Sequence, residues 1–165
     1  MRKSSFPPVV DPRTRVLVLG SLPGERSLSE QRYYAFPQNA FWRLMEAVLE
    51  EPVAVLGYDE RLAVLLRRGV GLWDCVGEAV RPGSLDSDIR DVEPNDLGGL
   101  ARTLPDLRAA AFNGGTAAKL GTPLLAHAGL ELLKLPSSSP AHAGRTFAQK
   151  AEAWAALRAF VRPVA

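Results

Sequence analysis

Chemistry in this 165-residue chain is concentrated in a few loops and two isolated polar residues. Gly20-Ser21-Leu22-Pro23-Gly24 has the glycines and proline of a tight turn, whose backbone N–H groups can approach a flat ring closely. Farther along, Tyr33-Tyr34-Ala35-Phe36-Pro37-Gln38-Asn39-Ala40-Phe41-Trp42 crowds aromatic rings around one amide, a setting that suits a flat heterocycle. Asn39 there has two readings: the N-cap of a following helix, or a polar group that holds a water. Ser137, Ser138 and Ser139, with Ala141, His142 and Arg145 close behind, offer hydroxyl, N–H and cationic groups suited to phosphates. Asp74 can accept a hydrogen bond from a ring N–H, and Asn113 can read an amide-patterned edge. Each also has a plain structural alternative. Tyr34 could be an ordinary half-buried tyrosine, Asp74 could bond to the loop 83–87, and Asn113 could tie down the adjacent glycines. The serines could form a simple Ser-Pro loop.

Several activities are excluded by what surrounds these residues. The first turn lacks GxGxxG spacing and is not followed by Gly-Lys-Ser/Thr, so it is neither a dinucleotide fingerprint nor a P-loop. No Gly-x-Ser-x-Gly elbow exists, and Ser138 and His142 lie on one short loop, which argues against a serine hydrolase. One cysteine, Cys75, and two histidines, His127 and His142, are too few for a disulfide or a metal cage; neither metal nor cofactor is expected. The formal net charge is +2, so any nucleic-acid site must come from local arrangement rather than a bulk basic field. With no signal-peptide core and no membrane-length apolar run, the expectation is a cytoplasmic protein acting as a monomer. Residues 1–165 are expected to form one domain, given 47% apolar and 23% charged residues.

The elements that must position these residues follow from periodicity. Apolar runs at 15–19, 70–73, 109–112 and 130–135 are bounded by Gly, Pro or Asn and too short for helices, so they predict strands. Helical spacing marks 41–49, 60–68, 97–104, 116–120 and 147–160. Continuous apolar strands alternating with helices predict a three-layer α/β/α sandwich around a central four-stranded, mostly parallel sheet. In such sheets ligands lie beyond the carboxyl ends of the strands. The segments leaving those ends are 20–39, 74–88, 113–115 and 136–144, which hold every candidate named above except Arg145, one residue beyond the last.

The run Gly20-Ser21-Leu22-Pro23-Gly24, continued by Tyr34-Ala35-Phe36-Pro37-Gln38-Asn39-Ala40-Phe41-Trp42, resembles motif 1 of the mismatch-specific and thymine-DNA glycosylases. It is more similar still to the deoxyinosine-glycosylase version, Gly-Ser-Met-Pro-Gly ending in His-Pro-x-Asn-x-Phe-Trp. Leu135-Pro136-Ser137-Ser138-Ser139-Pro140-Ala141-His142 stands where the uracil-DNA glycosylase superfamily carries its Ser-rich motif 2. With Phe112-Asn113-Gly114-Gly115 between them, the resemblance spans most of the chain in the right order. It implies a DNA-repair enzyme that flips a damaged nucleotide out of the stack and hydrolyses its N-glycosidic bond, with the base leaving as a stabilised anion. The implied roles are stacking on the base for Tyr34, donation to the leaving anion by the backbone of Ser21 to Gly24, base reading for Asp74, and DNA contact for the serine loop.

Two departures from the uracil-excising pattern narrow the implication. The third residue of motif 1, a water-positioning Asp or Asn in those relatives, is Leu22. The His that opens their motif 2 is replaced by Leu135. Both losses match the hypoxanthine branch, whose resemblance assigns the water to Asn39. The other expectations kept open are a uracil or broad deaminated-base glycosylase, and a catalytically silent DNA-binding relative.

Overall fold

A computed structural model describes residues 2–164. Its centre is a four-stranded parallel sheet made of β2 (Val16–Gly20), β3 (Val70–Asp74), β6 (Ala109–Asn113) and β7 (Glu131–Leu135), in spatial order β3-β2-β6-β7. These are the four apolar runs of the sequence, each shifted by a residue or so at its ends. β2 and β6 are buried throughout because both faces of the sheet are covered. Successive side chains divide between two cores. Val16, Val18, Ala109 and Ala111 face the helices α2 (Phe41–Leu49), α3 (Tyr58–Arg67) and α6 (Phe147–Trp154). Leu17, Leu19, Ala110 and Phe112 face α4 (Leu97–Arg102) and α5 (Gly115–Leu125). The layers are therefore α/β/α, as the alternation of elements predicts.

The chain passes from β2 outward to β3, then back across to β6 on the other side of β2. This reversal opens a crevice at the carboxyl ends of the central strands, where Gly20, Asp74 and Asn113 stand.

A second sheet was not anticipated. β1 (Arg2–Ser4), β4 (Val76–Val80) and β5 (Arg90–Pro94) pair antiparallel in the order β1-β4-β5. Immediately after β3 the chain folds back over the first turn, the Cys75 and Val76 N–H groups donating to the carbonyls of Gly20 and Ser21. Val76 and Ala79 pack there with Leu22 in a small third core. A short helix, α1 (Glu25–Glu30), also lies within what was expected to be a loop.

Candidate active site

The turn from Ser21 to Gly24 is held by its carbonyls. Those of Gly20 and Ser21 accept from Cys75 and Val76, and that of Gly24 accepts from Leu28. Those of Leu22 and Pro23 accept from the fully buried Arg81 guanidinium, which also donates to the Gly83 carbonyl. Burial pushes this guanidinium down from its ordinary value, with Asp86, Glu25 and Asp74 opposing the shift. With every carbonyl of the turn turned to protein partners, no hydrogen bond among the described residues uses the N–H of Ser21, Leu22 or Gly24. Uncommitted N–H groups grouped in one turn are what a developing anion requires. The Ser21 hydroxyl donates to Asp86 at 2.6 Å, so this side chain is committed to the buttress.

Gly20 is required by its neighbours. A Cβ there would stand 2.6 Å from Asp74 Oδ1 and 3.3 Å from the Tyr34 hydroxyl. The carboxylate and the phenol thus converge on the bare backbone at the end of β2. Asp74 is 4% exposed, and its Oδ2 has no hydrogen-bond partner among the described residues. The structural alternative, a bond from Asp74 to the loop 83–87, does not form; Asp86 of that loop takes the Ser21 hydroxyl instead. Burial raises Asp74 to about 7, Asp86 adding to the rise and Arg81 opposing it.

Tyr34 adopts a left-handed backbone conformation, φ 54°. One face of its ring lies on Phe41, with centroids 3.8 Å apart and planes at 10°, and the residue remains half-buried. Burial, then the proximity of Asp74, pushes its phenol up, so it is neutral and can donate at physiological pH.

Asn113 spends its amide inside the protein. Its Oδ1 accepts from the Ser138 N–H at 2.8 Å, and its Nδ2 donates to Ser138 Oγ at 2.9 Å and to the Tyr34 hydroxyl at 3.3 Å. Both N–H bonds are spoken for, so in this structure Asn113 ties the serine loop to the first motif rather than offering donors to a base. It does not tie down the adjacent glycines as its structural alternative had it. Gly114, at φ +99°, makes the turn that follows; a Cβ there would meet Ser137 at 3.0 Å.

Ser138 corrects the expectation of three serines facing phosphate. It is 1% exposed and turned inward, since its N–H and Oγ both meet Asn113 and its carbonyl accepts from the Ala40 N–H. Ser137 and Ser139 are half-buried, and their hydroxyls accept from the N–H groups of Ser139 and Ala141, which shapes the loop. Ala141, His142 and Arg145 are exposed.

Asn39, half-buried, accepts from the Phe41 N–H through Oδ1 at 2.9 Å. The N-cap of α2 is the next residue, Ala40, which has no side-chain cap bond, so Asn39 is not the N-cap but ties down the first N–H of the helix from one residue earlier. The Asn39 Nδ2 is used by no hydrogen bond among the described residues, and Oδ1 keeps a second lone pair. This bond and a water-holding role are compatible: the bond fixes the amide and leaves its remaining groups uncommitted. The Ala40–Ser138 bond joins this segment to the Asn113–Tyr34 network, so both motifs meet at one strand-end crevice. Leu22 and Leu135 are 6% and 3% exposed and packed in apolar cores, which removes them from any polar role.

Arg81 and Asp86 were not found by sequence reading, and a lone Arg and Asp in a polar stretch give no signal of their own. Two surface depressions lie elsewhere, one beside Arg43 and Phe147, the other along α6 near Arg145. Among the described residues no three His, Cys, Asp or Glu side chains gather as a metal ion would require, and no helix is long and apolar enough to cross a membrane.

A family model described as the uracil DNA glycosylase superfamily matches residues 7–158. The chain belongs to that superfamily. With membership comes the reaction class of a DNA glycosylase, a hydrolase of the bond joining a base to deoxyribose. A protein of Methanosarcina acetivorans named hypoxanthine DNA glycosylase is 42% identical over 158 residues, covering 95% of this chain and 98% of the relative. One of Methanosarcina barkeri with the same name is 38% identical over 155 residues, covering 94% and 97%. A solution NMR structure of a Methanosarcina acetivorans protein, described as a uracil DNA glycosylase, superposes with a TM-score of 0.86 at 40% identity, covering 96% of this chain and 98% of that one. The strand-end crevice therefore sits in a glycosylase fold over its full extent.

Proposed function

We propose that this glycosylase removes hypoxanthine from deoxyinosine in DNA and leaves an abasic site. The observation that carries the reading is the burial of Leu22 and Leu135 in apolar packing at the two positions where uracil-excising relatives carry polar groups. With Leu22 where the water holder of those relatives would sit, Asn39 is the side chain of the first motif left for that role, the arrangement of the branch whose relatives bear the hypoxanthine name. In this reading the extruded base lies on the face of Tyr34 not covered by Phe41, and Asn39 holds the attacking water. The Ser21, Leu22 and Gly24 N–H groups receive charge from the departing base. Asn113 acts as a positioning residue through Ser138 and Tyr34. Ser137, Ser139, Ala141, His142 and Arg145 form the DNA-facing loop, with Ser138 its buried anchor. The whole chain, 1–165, acts as one domain, monomeric, in the cytoplasm and without metal; the lone buried thiol of Cys75 suits a reducing compartment.

The test is cleavage of oligonucleotides carrying deoxyinosine, deoxyuridine, deoxyxanthosine or a G·T mismatch, in excess chelator, with alkali to cut abasic sites. Scission strongest at deoxyinosine supports the reading. Scission strongest at deoxyuridine replaces it with the broad or uracil activity, and binding without scission replaces it with a silent DNA-binding relative.

A further inference from the structure

The Asp74 carboxyl is enclosed at the end of β3 with one oxygen unpartnered, and it points at the bare backbone of Gly20 beside the Tyr34 hydroxyl. An ionised carboxylate is poorly placed there for glycosylase chemistry, because it would repel the base anion as it forms. The surroundings do not favour ionisation either. Asp74 is faced by Tyr33 and Tyr34 from the segment before α2, by Asp86 after β4, by Arg81 at the end of β4, and by its neighbour Cys75. The phenols and the thiol are pushed up by burial and carry no charge near neutrality. Asp86 repels a second negative charge. Arg81, the cation of the group, gives its guanidinium to the carbonyls of Leu22, Pro23 and Gly83, and among the described residues it makes no ion pair with Asp74.

We propose that Asp74 reads the extruded base as a neutral carboxylic acid, its carbonyl oxygen accepting the ring N–H and its O–H donating to the adjacent ring carbonyl. This inference rests on the glycosylase reading above and deepens it by naming the substrate class. Deamination converts an amine-bearing ring into one with a neighbouring N–H and C=O. Hypoxanthine, xanthine and uracil all present that pair, and a carboxylic acid matches it with two parallel hydrogen bonds. In the reaction the C1′–N bond breaks with its electron pair passing to the base, the oxygen of water bonds to C1′, and the proton of water ends on the departing base or in solvent. Negative charge reaching the ring carbonyl then meets the O–H of Asp74 as a donor. No reactant beyond DNA and water is needed.

Asp74, raised to about 7, loses its proton near neutrality. Single-turnover base release from deoxyinosine DNA should therefore fall as pH rises through about 7, by roughly tenfold per unit on the alkaline limb. Asp74→Asn keeps one acceptor and one donor but cannot ionise, so the alkaline limb should vanish from its rate profile whatever its rate at low pH. Asp74→Ala should lose roughly a hundredfold or more, the range for removing one donor from a preorganised site. A readout independent of activity follows from linkage. The folded protein keeps a proton that the unfolded chain releases near pH ~4, so the wild-type melting temperature should drop between about pH 4 and about pH 7 more than that of Asp74→Asn. A wild-type rate that is flat or rises through this range, or equal melting-temperature slopes for the two proteins, overturns the inference while leaving the glycosylase reading in place. Absence of base release from every deaminated substrate overturns both.

Discussion

Replacing Asn39 by Ala separates two things this side chain does. In the fold, Oδ1 accepts one hydrogen bond from the Phe41 N–H at 2.9 Å in a half-buried position. Losing such a bond costs about 1 kcal/mol, within a range of roughly 0.5–1.5. For a chain of this size that lowers the melting temperature by about 2–4 °C. As the water holder, the same amide fixes the nucleophile, and its loss should slow single-turnover base release by roughly two to four powers of ten. The assay pairs a thermal melt with single-turnover cleavage of a deoxyinosine duplex at a temperature where both proteins are folded. Asn39→Asp sharpens it, since a carboxylate keeps the oxygen that accepts from Phe41 and is favoured near the N-terminus of α2 but lacks Nδ2. If Asp restores the melting temperature but not the rate, Nδ2 takes part in holding the water. A melting temperature lowered in Asn39→Ala with a preserved rate would refute the catalytic assignment.

Other substitutions test the frame around it. Gly20→Ala places a methyl group 2.6 Å from Asp74 Oδ1, so the carboxyl must move; base release should fall by about a hundredfold with the fold retained by circular dichroism, and a fall of less than about threefold contradicts the close approach. Asn113→Leu strips the buried Ser138 N–H and hydroxyl of their partner and frees the Tyr34 hydroxyl. Urea unfolding should report a loss of about 2–4 kcal/mol, and a loss under about 0.5 kcal/mol would mean that the network is not structural. Arg145→Ala should lessen the salt dependence of DNA binding by about one phosphate contact, and an unchanged slope removes Arg145 from the interface.

The parallel sheet was legible because its strands are covered on both faces, which writes them as unbroken apolar runs such as Val16 to Leu19. The antiparallel sheet was not. β5 is polar, largely exposed and ends in Pro94, and β1 has three residues, so neither carries a hydrophobic period. Gly20, Asp74 and Asn113 could be named in advance because strand ends are where ligands lie in such folds. What each touches could not. The bonds from Asn113 reach Ser138 across 25 residues of sequence, and nothing in three consecutive serines says which one turns inward. Arg81 likewise acts through backbone carbonyls, whose orientation is set by the fold and leaves no mark in residue type.

The most direct measurement is single-turnover release of the free base from a duplex with one deoxyinosine, identified by mass, beside an otherwise identical duplex with deoxyadenosine. The account predicts one equivalent of hypoxanthine per deoxyinosine, an alkali-labile abasic site in the strand, and no adenine from the control. Tight binding to the deoxyinosine duplex with no hypoxanthine released would contradict it.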